Sequence, residues 1–387
     1  MPLADILPFR KCPPPIIDPR IQQMNREVWA QFARPSRAFL SSAAQYTARV
    51  DRVTPEAPDA VSLVLSINGT ALTWLPGQFI TLSLVHEGKT HQRAYSISAV
   101  GDPLQGDPTR CISHQIRITV KRVEGGLVSR LLTTGIKPGD SLRFTGPHGD
   151  FSASETQSPK LFIAGGSGIT PILALLQAHL RSNPNQPCAL IYSSRKLKEA
   201  IFAEELRNLE QQHPTLCVHW VETAGKPSRR LSPSKINPFL DGLPWLDAAT
   251  TEVFLCGPDA LNGLGQEVFD QRRFPAEHIH TERFLSHHHD ATGVQSPQEI
   301  EFPQWHKHVI AQPDQSLLAA GLAAGLPMPH SCQVGGCGHC RVKVVKGEVK
   351  SDEPNCLSQE EAEQGYRLAC VSYATGPVTL EIEGESK

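Results

Sequence analysis

The chain has 387 residues, enough for two or three domains that each bury a core. Its 37 basic and 39 acidic side chains nearly cancel, so no strongly basic balance points to a nucleic-acid partner. No apolar run reaches the length of a transmembrane segment, and the first ten residues lack the order of a signal peptide. The ten cysteines are therefore expected in the cytoplasm, as ligands or buried thiols rather than disulfides.

Residues 1–45 read as an N-terminal arm. Pro13, Pro14 and Pro15 make its start extended, and Ile21, Met24, Val28, Trp29 and Phe32 then recur at the spacing of a short amphipathic helix. No chemistry is assigned to it. From Tyr46 to residue 157 the pattern is β. Residues 48–53, 61–66 and 78–84 alternate apolar and polar side chains. Arg93-Ala-Tyr-Ser96, Ile116–Lys121, Gly125–Ser129, Leu142–Phe144 and Gly146–Phe151 follow among Gly and Pro turns. Short strands punctuated in this way predict a small closed barrel.

From residue 158 to 285 strands and helices alternate, which predicts a parallel sheet covered on both faces. Leu161–Ala164 is a buried strand that runs into Gly165-Gly-Ser-Gly168-Ile-Thr170-Pro171, then a helix from Ile172 to His179. Cys188–Tyr192 and Val218–Val221 are further strands, and Phe202–Leu209 is a helix. Glu252–Cys256 closes the series before Gly257-Pro258 and a helix at residues 260–269. Ligands of such sheets sit beyond the carboxyl ends of the strands, where both glycine turns fall. Residues 286–298, with His287, His288 and His289, read as a solvated polar linker rather than a metal site.

Residues 299–387 hold a hairpin, an alanine-rich helix at residues 316–325 and strands at Arg341–Val345 and Val378–Ile382, the order of a small α+β module. Between helix and strand stands His-Ser-Cys332-Gln-Val-Gly335-Gly336-Cys337-Gly338-His-Cys340. The spacing C-x4-C-x2-C with a distant fourth cysteine is the thiolate pattern of a plant-type [2Fe–2S] cluster. The glycines let the loop fold back so that three sulfurs face one small cluster. A zinc site built on Cys337 and Cys340 is the competing reading, but zinc usually shows two short cysteine pairs or a pair with spaced histidines. Cys356 and Cys370 both stand downstream as candidates for the fourth ligand.

Taken together, these residues resemble the ferredoxin–NADP reductase superfamily in its form fused to a C-terminal [2Fe–2S] ferredoxin. By pattern the chain is similar to the reductases of phenylacetyl-CoA epoxidase, of hybrid-cluster protein, and of oxygenases and desaturases. The resemblance runs from about residue 46 to the end. It implies an antiparallel flavin barrel, an α/β nucleotide domain and a β-grasp ferredoxin. It further implies an NAD(P)H:acceptor oxidoreductase that feeds electrons through FAD to the cluster and on to a partner redox protein. FAD is preferred, with FMN, as in phthalate dioxygenase reductases, the alternative.

Arg93, Tyr95 and Ser96 match the flavin motif R-x-Y-S, in which the arginine faces flavin phosphates and the serine lies near the reactive N5. Val120 and Lys121 correspond to a second flavin segment, and Gly126, Leu127, Val128 and Ser129 to the pyrophosphate loop. Gly165, Gly166 and Gly168 match the nicotinamide-nucleotide turn, with Thr170 by the flavin edge. Cys256, Gly257 and Pro258 match the segment whose cysteine approaches the nicotinamide C4. Glu282 and Phe284 match an E-x-F segment whose ring covers the flavin. Ser96, Thr170, Cys256 and Glu282 are the residues so placed at the reacting atoms.

Arg195 and Arg229, with Arg230, are positioned to meet an adenosine phosphate, which favours NADPH over NADH. The resemblance also selects Cys370, in Gly365-Tyr-Arg-Leu-Ala-Cys370, as the fourth cluster ligand beside Cys332, Cys337 and Cys340. A complete monooxygenase would need a further module that residues 1–45 are too short to hold. A redox-sensing protein with decayed cofactor sites is disfavoured by the intact motifs.

Overall fold

The computed structural model of the protein describes residues 45–86, 89–105, 107–153, 157–224, 230–284, 296–313, 315–352 and 355–382. The helix expected in the N-terminal arm lies outside the described residues, as do Arg229, the three consecutive histidines and most of the expected linker.

The first module contains β1 (Gln45–Ala57), β2 (Ala60–Ile67), β3 (Leu72–Trp74), β4 (Phe79–His86), β5 (Lys89–Ser96), β6 (Asp102–Leu104), β7 (Asp107–Ser113), β8 (Gln115–Lys121), α1 (Leu127–Thr134) and β9 (Ser141–His148). Six strands pair in the order β5-β4-β9-β1-β2-β8. A bridge between Ile97 and Ile118 joins the two ends and closes a barrel. Closure gives each strand one inward face, which is why Val50, Leu63, Leu65, Ile80, Leu82 and Ile118 recur with period two and share one core. Residues 125–129, read from the sequence among the strands and turns, instead lead into α1. Val128 and Leu132 lie four residues apart on one helical face and bury themselves in the barrel core.

The second module contains β10 (Lys160–Gly165), α2 (Ile169–Ser182), β11 (Cys188–Ser194), α3 (Ala203–Gln212), β12 (Leu216–Glu222), α4 (Pro233–Asp241), β13 (Glu252–Cys256), α5 (Asp259–Gln271) and β14 (Ile279–Glu282). Its five strands are parallel, in the order β12-β11-β10-β13-β14. Alternate residues of β10 serve opposite faces: Phe162 and Ala164 join one core, Leu161 and Ile163 the other. That two-sided burial makes these strands continuous apolar runs.

The structure departs from the expected elements of this module in three places. β13 is not the last strand, because the four-residue β14 adds itself along β13; it is too short and too incompletely buried to show a period. Helix α4 has no counterpart among the expected elements, since Pro233 and Pro238 mask its pattern. Helix α2 begins at Ile169, with Pro171 inside its first turn where a missing N–H costs nothing.

The third module contains β15 (Gln298–Phe302), β16 (Lys307–Ala311), α6 (Leu317–Ala323), β17 (Arg341–Lys346), β18 (Val349–Ser351), α7 (Gln359–Glu363), β19 (Tyr366–Leu368), β20 (Ser372–Ala374) and β21 (Val378–Glu381). The main sheet runs β16-β15-β21-β17-β19, with β15 and β21 parallel. Leu317, Leu318 and Ala320 of α6 pack on its inner face with Ile300, Val342 and Leu380. The Ser316 hydroxyl caps α6 by accepting from the Ala319 amide at 3.2 Å. Among the described residues no helix is long and apolar enough to cross a membrane.

Candidate functional site

One cleft of about 1250 Å³ opens where the three modules meet. The barrel contributes Arg93, Tyr95 and Ser96 from the end of β5, Lys121 from β8, and residues 125–129 at the start of α1. Ser167, Thr170, Glu282 and Phe284 come from the nucleotide module, and Val334, Cys337, Gly338 and Cys356 from the third. Segments scattered along the chain from Arg93 to Cys356 therefore share one wall-to-wall space.

On the barrel side, Arg93 and Tyr95 are alternate residues of β5, so both project to one face. Burial lowers the pKa of Arg93 and raises that of Tyr95, while the two offset each other by charge. Val120 faces the barrel core. Its neighbours Thr119 and Lys121 reach the cleft instead, as strand alternation requires. The Ser129 hydroxyl is used within its own loop: it accepts from the Val123 amide at 3.1 Å and donates to the Gly126 carbonyl at 3.4 Å. A Cβ on Gly126 would lie 2.6 Å from that hydroxyl. Only a glycine there keeps the loop folded tightly on the helix start, where amide N–H groups are available to an anion.

On the nucleotide side, the turns after β10 and β13 touch backbone to backbone. A Cβ on Gly168 would stand 2.1 Å from the Cys256 carbonyl oxygen, and one on Gly257 would stand 3.1 Å from the Gly165 Cα. Gly166 has φ +56°, a left-handed conformation that glycine adopts without strain. Thr170 is buried and donates to the Ser167 carbonyl at 3.0 Å. Cys256 is fully buried behind the cleft, its sulfur 3.9 Å from Glu282 Oε2. Burial, then the neighbouring Glu282 carboxylate, pushes the Cys256 thiol far up, so it stays protonated. The Glu282 carboxyl is pushed up to about 8, chiefly by burial. Arg195 is exposed just beyond the carboxyl end of β11, outside the cleft wall.

Among the residues that escaped the sequence reading is one on α5. Asn262 on α5 donates through Nδ2 to the carbonyls of Gly257, at 3.3 Å, and Glu282, at 3.1 Å. It ties the cysteine turn to the end of β14. Its position one helical turn beyond Pro258 was the available signal, but only the tertiary placement of β14 gives it a purpose.

In the third module Cys332, Cys337, Cys340 and Cys370 are all buried. Their sulfurs fall into two neighbouring pairs, Cys332 with Cys337 and Cys340 with Cys370. Backbone amides converge on them: Val334 and Gly336 on Cys332, Cys332 and His339 on Cys337, and Gly335 on Cys370 at 3.3 Å. Gly335 and Gly338 have φ +73° and +70°, and Gln333 is also left-handed at +56°, so the loop curls around its sulfurs. The Cys337 thiol is drawn down to about 4 by the Cys332 thiol first, and by His339 and the amides. Two pairs of thiolates inside a nest of N–H donors fit the two irons of a [2Fe–2S] cluster. Four donors converging on one point would instead fit zinc. Among the described residues no group of three or more such side chains converges on a single ion.

Cys356 donates its backbone N–H to the Gly335 carbonyl at 3.0 Å but opens on the cleft. Crowding around its sulfur and the nearby Cys337 and Cys340 push its thiol up to about 12. It supports the loop without joining either sulfur pair.

Comparison with known proteins agrees with this geometry. Residues 49–152 match the family described as the oxidoreductase FAD-binding domain, residues 162–264 the oxidoreductase NAD-binding domain, and residues 303–375 the 2Fe-2S iron-sulfur cluster binding domain. The chain is 31% identical over 342 residues to the stachydrine N-demethylase reductase subunit Stc4 of Rhizobium meliloti, covering 85% of this chain and 94% of that protein. It is 30% identical over 361 residues to one of the subunits of the 1,2-phenylacetyl-CoA epoxidase of Escherichia coli, covering 86% and 95%. The solved structure of phthalate dioxygenase reductase superposes with a TM-score of 0.63 at 22% identity, over 87% of this chain and 98% of that one, a likeness of fold.

The chain belongs to the ferredoxin–NADP reductase superfamily, in the form that carries a C-terminal [2Fe–2S] domain. It is an NAD(P)H-dependent electron-transfer oxidoreductase whose cofactors are FAD and a [2Fe–2S] cluster.

Proposed function

We propose that this protein is the reductase component of an oxygenase system, taking electrons from NADPH and delivering them singly to a separate oxygenase. The observation that carries the reading is the single cleft into which the flavin strand, the nucleotide turn and the cluster loop all open. The names of the relatives above, an N-demethylase reductase and an epoxidase, support an oxygenase-type acceptor. When bound, the flavin supplies the conversion between a two-electron donor and a one-electron cluster.

The protein's own residues then have defined tasks. Arg93 offers a guanidinium fork to flavin phosphate, and Tyr95 gives the ring system an aromatic wall. Ser96 sits at the mouth of β5 beside the reacting edge, and Lys121 and the α1 amides hold the phosphates. Val120, Leu127 and Val128 shape that wall through backbone and core packing. Gly165, Gly166, Gly168, Gly257 and Pro258 form the nucleotide turn, and Thr170 closes it toward the flavin. Cys256 stays a neutral thiol behind the nicotinamide position, with Glu282 beside it. Phe284, half exposed at the cleft, would cover the flavin ring and yield that place to the nicotinamide. Cys332, Cys337, Cys340 and Cys370 would ligate the cluster. Arg195, with Arg229, selects the adenosine phosphate of NADPH. None of the nine described cysteines is joined in a disulfide, in keeping with a cytoplasmic setting.

The test is reconstitution. Purified protein should show flavin and iron–sulfur absorbance, reduce ferricyanide and cytochrome c with NADPH faster than with NADH, and support turnover by an oxygenase component. A preparation that binds flavin and cluster yet transfers no electrons from either nucleotide would refute the proposal.

A further inference from the structure

The barrel and the cluster loop meet along one row of side chains. Strand β4 lies between β5 and β9, and the register sets Ser96, Phe79 and His148 side by side across those three strands. Ser96 belongs to the flavin motif. Phe79 forms a small apolar cluster with Cys332, Val334 and Cys337, so a barrel residue shares one core with two cluster cysteines. His148 packs its ring against Phe79, with centroids 5.7 Å apart. Its Nδ1 is hydrogen-bonded to the Ser331 hydroxyl at 2.8 Å, and its Nε2 to the Thr145 hydroxyl at 3.1 Å. Two residues along β4, the Thr81 hydroxyl donates to the Cys332 carbonyl at 3.3 Å.

Phe79, Thr81 and His148 are each nearly solvent-free. Hydrogen bonds between buried groups are costly to leave unmade, so this contact has one favoured arrangement. The aromatic position is also enforced from behind: a Cβ on Gly149, where φ is +96°, would lie 2.9 Å from the Phe79 ring. None of these residues carries charge to the reaction.

We propose that His148, Thr81 and Ser331 are positioning residues that latch the cluster loop onto the flavin-binding strands and so set the efficiency of electron transfer from flavin to cluster. The inference rests on the flavin-to-cluster route proposed above. In each transfer the reduced flavin loses one electron and the cluster gains it; the latch residues neither gain nor lose electrons. Undoing the latch leaves both cofactor sites intact but lets the third module leave its seat. The fraction of molecules with the loop seated then limits transfer.

The test uses the full, cofactor-loaded protein mixed rapidly with NADPH, following flavin and cluster absorbance separately. His148→Phe keeps the ring and removes both hydrogen bonds, and Ser331→Ala removes the partner from the other side. Each is expected to slow cluster reduction roughly tenfold, from the loss of buried hydrogen bonds, while flavin reduction stays at the parent rate. The resting cluster spectrum should be unchanged. The double variant should be no slower than the slower single, because both remove the same interaction, and Ser331→Thr, which keeps the hydroxyl, should restore the rate. Cluster reduction at the parent rate in a folded Ser331→Ala protein, or additive losses in the double variant, would overturn the latch. Failure of NADPH to reduce the flavin in the unaltered protein would instead refute the reductase proposal itself.

Discussion

Gly168→Ala is the sharpest single test of how the nucleotide site is built. The added Cβ would meet the Cys256 carbonyl oxygen at 2.1 Å, its carbon at 2.4 Å and the Gly257 nitrogen at 2.8 Å. All three are backbone atoms at the end of a buried central strand, so no side chain can rotate away. Restoring ordinary contact requires the two turns to part by about 1 Å, and a displacement of that size at a reacting centre costs roughly a hundredfold in rate. The expected result is a hundredfold fall in kcat/KM for NADPH with ferricyanide as acceptor. Overpacking should also cost about 1–3 kcal/mol of stability. Flavin content and the cluster spectrum should be retained, since Arg93, residues 126–129 and the four cysteines lie on other elements. A folded Gly168→Ala protein with unchanged kcat/KM would show that the contact of the two turns does not position the nicotinamide, and the reasoning would fail.

A glycine within α5 should behave oppositely: a Cβ on Gly263 would meet nothing within 4 Å, so Gly263→Ala should raise Tm by the equivalent of about 0.5–1 kcal/mol. Lys160 and Glu252 begin the paired strands β10 and β13 and form an ion pair only 2% and 1% exposed. Lys160→Met should cost about 3–5 kcal/mol in denaturant melts by removing the ammonium that balances a buried carboxylate, which keeps the Ser158 hydroxyl at 3.2 Å, and adding Glu252→Gln should recover much of it. Cys370→Ser should abolish or grossly alter the visible iron–sulfur spectrum and Cys356→Ser should leave it intact; the reverse would overturn the ligand assignment. In flavin-free protein the raised Glu282 pKa means that the folded state holds a proton the unfolded state has released. Its contribution should be fully present below about pH 4.5 and lost as pH rises through about 8, so the Tm advantage of Glu282→Gln should grow across that window.

Much of this was legible in the sequence because the chemistry is local. The cluster loop carries three of its thiolates between Cys332 and Cys340, and the glycines that curl it stand among them. The flavin motif occupies alternate positions of one strand, so period two alone puts Arg93 and Tyr95 on one face. Other features were hidden because their physical cause is remote. β14 has four residues and forms only by adding to β13, so it shows no pattern of its own. α4 is held by Ile236, Phe239 and Leu240 against the sheet rather than by helix propensity. Asn262 is an ordinary helix residue until β14 places the Glu282 carbonyl within its reach.

Residue type and short spacing were enough to place three cluster thiols in one loop and two glycine turns after strands, while the choice of the fourth thiol, the flavin strand and the order in which electrons meet these groups came from the family resemblance. Such signals survive without knowledge of the rest of the chain. How the groups are joined was settled by packing alone. Thr81 lies 251 residues from Cys332 and His148 183 residues from Ser331, and contacts across such separations depend on how whole modules pack. The pairing of the cysteines, the backbone contact between Gly168 and Cys256, and the seat of the cluster loop on β4 and β9 all arise there. No local periodicity encodes them.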